Sequence, residues 1–398
     1  MALALRRRKI RIAWWGLCLM TGLVYAAARV PVPPALAAQQ TYSVTTTADS
    51  GAGSLRQAII DANANSTTAA SPHLISFSIA GSGVQTIALS TALPQITQPT
   101  VIDGTTQSGT TCGNMVPDAP NGANTPHTLR VEITGSIVTF AQTADGSMVK
   151  GIITGSGSGL TVNSPNTTIE CNYFGTSADG RTRVVTDYPL RFSLTADGAV
   201  VQNNLIFAMT SEMVNNTTSS LDSMQIKNNI VGAKVSLDGV FDANSILGVM
   251  AQMYALKDAV IGGNPADANV IAGGNRDNFV WSAGLLIGES SNNVSIKSNY
   301  VGISPGGVKL ANSAGILIDK ATGGVGNEVM NVTIGGTNAN DRNYISGNSS
   351  GILVGHGTDT VTILGNYIGS GLNGKTAGIG NTDGITYILK KKKNVTIG

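Results

Sequence analysis

Along most of the chain, apolar and polar residues alternate in short runs, each closed by Gly, Asn or Asp. A period of two marks strands, and runs this short do not make helices. Near the start they read as Tyr42–Thr45, Leu74–Ile79, Thr86–Leu89 and Thr100–Gly104. One segment breaks the pattern. Ser54–Asn63 places Leu55, Ala58, Ile59 and Ala62 on one helical face, and Ser54 with Gln57 makes a capping box. It is the one helix the pattern predicts in the body of the chain.

The strand phrases also repeat. An Asn-aromatic or Asn-Ile step recurs around Asn172, Asn229, Asn299 and Asn366, at separations of 57, 70 and 67 residues (172 to 229, 229 to 299, 299 to 366). Val260-Ile261-Gly262-Gly263 returns as Thr333–Gly336 and begins again at Thr396. Asn269–Asn275 is echoed by Asn343–Asn348, and a Gly-Ile/Leu-x-Ile/Val step stands at Gly284, Gly315 and Gly351 and begins again at Gly384. Self-similarity of this kind marks a solenoid, in which each rung bonds to the rungs above and below. The expected fold is therefore all-β: a right-handed parallel β-helix with a short N-terminal capping helix. Residues 38–70 form the cap and 71–398 the solenoid. A coil of about 20 residues is expected, three to each repeat, with Ile, Val and Leu inside. The asparagines are expected as turn ladders, because Asn tolerates φ > 0 and stacked amides bond from rung to rung. Cys112–Pro126 reads as a long surface loop. The chain stops inside an Ile-Gly phrase, an expectation of further rungs, and Lys390–Lys393 reads as a charged corner.

Composition sets the compartment. Arg6, Arg7, Arg8, Lys9 and Arg11 precede the apolar run Ile12–Ala28, and Ala35-Leu36-Ala37 supplies a cleavage site. Residues 1–37 thus read as a signal peptide, and the body as extracellular or cell-surface; left uncleaved, that segment would be its one membrane contact. Cys112 and Cys171 remain after export, and pairing is left open. Gly numbers 49 of 398 and charged residues 12%, a composition that excludes disorder and a helical protein. The net charge of +2 offers no basic face, so no nucleic-acid partner is expected. His73, His127 and His356 are scattered too widely for a metal site with the cysteines. Turn acids such as Asp238, Asp242, Asp258 and Asp267 are compatible with Ca²⁺ but dispersed, so no cofactor is expected.

The run Thr47–Ile59, with Ser54-Leu55-Arg56-Gln57-Ala58-Ile59, then Ile102–Gln107 and the Asn-Tyr-Ile-Gly and Ile-Gly-Gly phrases, resembles bacterial right-handed parallel β-helix repeat proteins of the pectin-lyase-like fold. The resemblance covers nearly all of 41–398. It implies an exported surface or secreted scaffold with a structural, adhesive or glycan-contacting role; the alternative is a polysaccharide lyase or glycoside hydrolase. Gly355-His356-Gly357 and Asn381-Thr382-Asp383 match polygalacturonase phrases, but in reversed order and with no Asp-Asp. His356, Asp359 and Asp383 are the catalytic candidates, since an inverting hydrolase needs two carboxyl groups. Arg276 and Arg342 read as solvated corners. Tyr173, Tyr300, Tyr344 and Tyr367 recur where rings either stack on sugars or pack beside the turn.

Overall fold

The computed structural model describes residues 39–117, 122–185, 187–213, 219–241, 248–274, 282–320, 327–375, 379–388 and 394–398. The expected signal peptide, Lys390–Lys393, Asp242 and Arg276 lie outside the described residues. Among the described residues, strands form three sheets of 14, 10 and 9 members, and every strand pair in them is parallel. The chain visits the sheets in turn, so neighbours in a sheet come from successive coils. This is the all-β parallel β-helix that the phrases predict. Side chains that point inward form columns, such as Ile296, Ile334 and Ile363 in the first sheet and Ile271, Val301 and Ile345 in the second. Leu285, Ile316 and Ile352 do the same in the third sheet, and all are buried.

The predicted helix forms as Leu55–Ala64, with Leu55, Ala58, Ile59 and Ala62 buried. It follows Thr41–Val44, the terminal strand of the first sheet, and its apolar face closes onto the core there. Only half of the capping box is made. Ser54 Oγ accepts from the Gln57 amide at 3.2 Å, but the Gln57 side chain donates to Asp61.

The coil is longer than expected, because each corner carries more chain than the strand phrases alone suggest. Asn172, Asn204, Asn229, Asn269, Asn299, Asn343 and Asn366 form one continuous column, with separations of 32, 25, 40, 30, 44 and 23 residues. Each repeat read from the sequence thus holds two coils, not three. In this column each Asn Oδ1 accepts from the backbone amide and Nδ2 of the preceding member. A second ladder runs through Asn312, Asn348 and Asn381 at another corner.

The close approach of the next coil, its ladder amides included, explains the glycine phrases. A Cβ at Gly262 or Gly335, the first glycine of each Ile-Gly-Gly, would first strike a backbone carbonyl of the next coil, Lys297 O at 1.9 Å or Leu364 O at 2.1 Å. It would then meet Asn299 Oδ1 at 2.8 Å or Asn366 Oδ1 at 2.5 Å, and both glycines hold φ of +81°. A Cβ at Gly284, Gly315 or Gly351 would meet the amide of Asn312, Asn348 or Asn381 in the same way. The repeat phrases thus reflect one packing arrangement, in which the backbone and the ladder amide of the next coil together leave no room for a Cβ.

The loop after Asp103 is tied down as a strap along one corner. Cys112 forms a disulfide with Cys171, with Cα atoms 5.7 Å apart. Beyond it, Gly113 O and the Met115 amide bond Asn203, and the Asn114 side chain and Val116 amide bond Asn228. Cys171, Asn203 and Asn228 all hold positive φ, and they follow paired strands on successive coils. His127 locks the return of the strap. Its Nδ1 accepts from the Gly113 amide at 2.9 Å while its Nε2 lies 2.7 Å from Asn203 O. Both contacts are made when the ring is neutral with the proton on Nε2. Burial pushes its pKa down to about 4.

Candidate functional site

The four tyrosines fall in one column. Tyr173, Leu205, Ile230, Val270, Tyr300, Tyr344 and Tyr367 pair in register on the outward side of the second sheet, in line with the exposed Thr86. The last three stack on one another, with centroids 5.1 and 5.3 Å apart and interplanar angles of 7° and 29°. Tyr344 has a ring on each face. The Arg342 guanidinium lies 5.1 Å from the Tyr367 centroid and donates to its hydroxyl, so Arg342 is held by Tyr367 rather than being a solvated corner. Tyr173 is buried, donates to His127 O at 2.9 Å and packs against that imidazole. Burial pushes the Tyr173 and Tyr300 hydroxyls well above the ordinary tyrosine range. Stacking on a sugar requires an open ring face. Tyr173 and Tyr300 are buried and Tyr344 is covered by its neighbours, so the column is a packing feature of the solenoid.

Of the three catalytic candidates, Asp383 lies apart from His356 and Asp359, which are three residues from each other across a corner. Asp383 pairs with Ser350, where the strand Ser350–Val354 of the third sheet begins. His356 stands in the turn two residues past the end of that strand, which itself runs about 13 Å from Ser350 to Val354 at ~3.3 Å per residue. Asp359 lies around the next corner in Thr358–Leu364 of the first sheet, where Thr360 Oγ1 donates to it at 3.4 Å. Asn381, which opens the Asn-Thr-Asp match, is the end of the second ladder: its Oδ1 accepts the Asn348 amide at 3.0 Å. No group of three or more His, Cys, Asp and Glu among the described residues is placed to hold a metal ion.

The sequence reading missed the partner of His356. Ile287, Ile318 and Val354 are in register, so the residues that follow them meet at one corner: Gly288, Asp319 and Gly355, then Glu289, Lys320 and His356. Asp319 Oδ2 lies 3.9 Å from His356 Nδ1, with the Asp319 side chain 1% exposed and His356 40% exposed. Among the described residues neither Asp319 oxygen has a partner in full hydrogen-bond geometry, though the His356 backbone N–H lies near enough to favour the ionised carboxyl. A Cβ at Gly355 would come within 1.9 Å of Asp319 Oδ2, and one at Gly357 within 2.6 Å of Lys320 Cδ. Gly-His-Gly therefore has a local cause: its two glycines make room for the Asp-Lys pair of the preceding coil. The signal in the sequence was the spacing of Asp319 after Gly315, which equals that of Gly355 after Gly351.

Burial pushes the Asp319 carboxyl up from its ordinary 3.8 to about 6, opposed by the nearby His356. A carboxyl raised on folding favours the folded state below pH 3.8, and that contribution is lost as pH rises through 6. Asp319→Asn is accordingly expected to raise stability at pH 8 by on the order of 2–3 kcal/mol and to give no such gain at pH 3. Urea unfolding at both pH values checks this; equal effects at the two would show that ionisation of Asp319 is not what destabilises the corner.

A scan of protein-family models and a search of curated proteins return no match for this chain.

Proposed function

We propose that this chain is an exported right-handed β-helix of the pectin-lyase-like type, secreted or held at the cell surface, where it is a structural or adhesive scaffold in contact with glycans. The observation that carries the reading is the Cys112–Cys171 disulfide, since such bridges persist in oxidising compartments. The basic, then apolar, leader agrees with export. The outward surface supports the glycan part. In the first sheet Ser295, Thr333, Thr362 and Thr396 stand in register on successive coils, a row of hydroxyls at about 4.8 Å spacing that suits a hydroxyl-rich ligand. Co-sedimentation of the full chain with insoluble cellulose, chitin, pectin gel and peptidoglycan tests it. Retention on at least one is expected; passage through all four by folded protein would remove the glycan role, and recovery from the cytosol would remove export.

A second reading, a polysaccharide-active enzyme, is favoured by one observation: a half-exposed imidazole beside a buried carboxyl at the Asp319–His356 corner. On this reading the chain releases reducing ends or unsaturated products from pectin, alginate or a neutral glycan, and His356→Ala lowers the rate at least 100-fold. Silence of the folded chain across that panel would sink it.

A further inference from the structure

The outward face of the third sheet changes character along the solenoid. Thr139, Thr161, Arg191, Thr210 and Gln252 are in register on five successive strands and all are half-exposed. The same column continues as Leu286, Leu317 and Leu353, which are buried. The polar part therefore has a closed end. It spans about 19 Å at a rung spacing of ~4.8 Å.

At Thr161 and Arg191 the row borders a cleft of about 370 Å³. That is within the usual size range of small-molecule sites, about 300–1,000 Å³. Its walls bring together Ile137, Thr161, Asp187, Tyr188, Pro189 and Arg191. The polar groups are held in place before any ligand arrives. Arg191 Nε donates to Tyr188 O at 3.0 Å, and its Nη2 donates to Asp187. The Tyr188 hydroxyl donates to Gln252 Oε1 at 2.5 Å, and Gln252 Nε2 donates to the Tyr254 hydroxyl. This chain of bonds links the cleft to the far end of the row. Ile137, 45% exposed, gives the mouth an apolar wall.

We propose that this cleft and row form the glycan-binding site, and that the ligand is a neutral linear oligosaccharide lying along the solenoid axis. The inference rests on the glycan-contacting reading above. Three features select the class. Threonine hydroxyls, the Gln252 amide and the paired Arg191 and Asp187 match sugar hydroxyls, which both donate and accept. Ile137 and Pro189 match the C–H face of a pyranose. The Arg191 charge is already met by Asp187, itself 65% exposed at the side chain, so a carboxylated sugar would encounter repulsion beside Arg191, the one cation among the described residues that line the cleft. A row of side chains one rung apart suits a polymer that runs along the axis better than a compact ligand.

Calorimetric titration of the full chain with cellohexaose, laminarihexaose, mannohexaose and hexagalacturonate tests the site, with Thr161→Trp to fill the cleft and Arg191→Ala to remove its donors. Binding of at least one neutral hexaose is expected, weakened at least tenfold by each variant, with unchanged circular dichroism. Equal binding by wild type and variants would overturn the site while leaving the glycan reading intact, as would retention on an insoluble polysaccharide with no hexaose bound. Binding of hexagalacturonate alone would overturn the neutral class. Failure to bind every hexaose and every insoluble polysaccharide would remove both proposals.

Discussion

Replacing Asn229 by Leu is expected to destabilise the chain by about 4 kcal/mol, whereas Asn366→Leu should cost about 1 kcal/mol. Asn229 is fully buried in the middle of its ladder. Its Oδ1 accepts from the Asn204 amide and side chain at 3.1 and 3.0 Å, and its Nδ2 donates to Val201 O, Lys227 O and Asn269 Oδ1 at 2.9, 2.9 and 3.0 Å. Leucine is close in size, so the change removes partners rather than volume. It leaves the buried Asn204 backbone N–H without its acceptor and takes a donor from Val201 O. Asn204 Nδ2 keeps Ile169 O and Gln202 O, and Asn269 Oδ1 keeps the residue-229 amide. A buried orphan costs roughly 1–3 kcal/mol and each lost bond about 1 more. Asn366 still accepts from Asn343 and donates to Ile334 O and Leu364 O, but it is half-buried, so water can take over its bonds. Urea unfolding of both variants reads the difference. Equal losses would mean that the ladder is not cooperative and that position along it is irrelevant.

Reduction of Cys112–Cys171, or the double change to Ser, is expected to cost about 4 kcal/mol, the loop-closure value for a separation of 59 residues. The loss should concentrate on the strap. Met115 and Val116 are buried, and their amides bond Asn203 and Asn228 rather than a regular strand. Hydrogen exchange at these two amides should therefore accelerate far more than at the Ile296 column. Acid should compound the effect in the reduced chain. His127 has its pKa lowered from 6.5 to about 4, so its contribution is present above pH 6.5 and lost as pH falls towards 4, when a protonated Nδ1 can no longer accept from Gly113. Uniform acceleration across all three sheets would show that the bridge supports the whole solenoid and not the strap.

Much of the fold was legible because a solenoid repeats its own requirements. Asn172, Asn229, Asn299 and Asn366 stand before recognisable two-residue apolar steps that begin with Tyr or Ile and are closed by Gly, so they announced a ladder. Asn204, Asn269 and Asn343 belong to the same column, but the phrases around them differ, which is why the coil seemed shorter than it is. Asn269 and Asn343 were visible as a separate phrase, and only register joins them to the others. The helix Leu55–Ala64 was legible from its apolar face; the redirection of Gln57 towards Asp61 was not, since both partners lie within reach of it. The functional residues were less legible. Asp319 and His356 are 37 positions apart (319 to 356), and the register that brings them together depends on the lengths of irregular corners. Arg191 and Thr161 meet for the same reason, through pairing of Gly159–Val162 with Leu190–Phe192.

The strap has a mechanical meaning. Tension along the axis of a stacked solenoid peels it from an end, breaking the bonds of one rung before those of the next. A segment that runs lengthwise and is fastened to Cys171, Asn203 and Asn228 is loaded in shear across three rungs at once. Under a steady pull, unravelling that starts elsewhere should stall at that reinforced stretch, much as a tear stops at a hem.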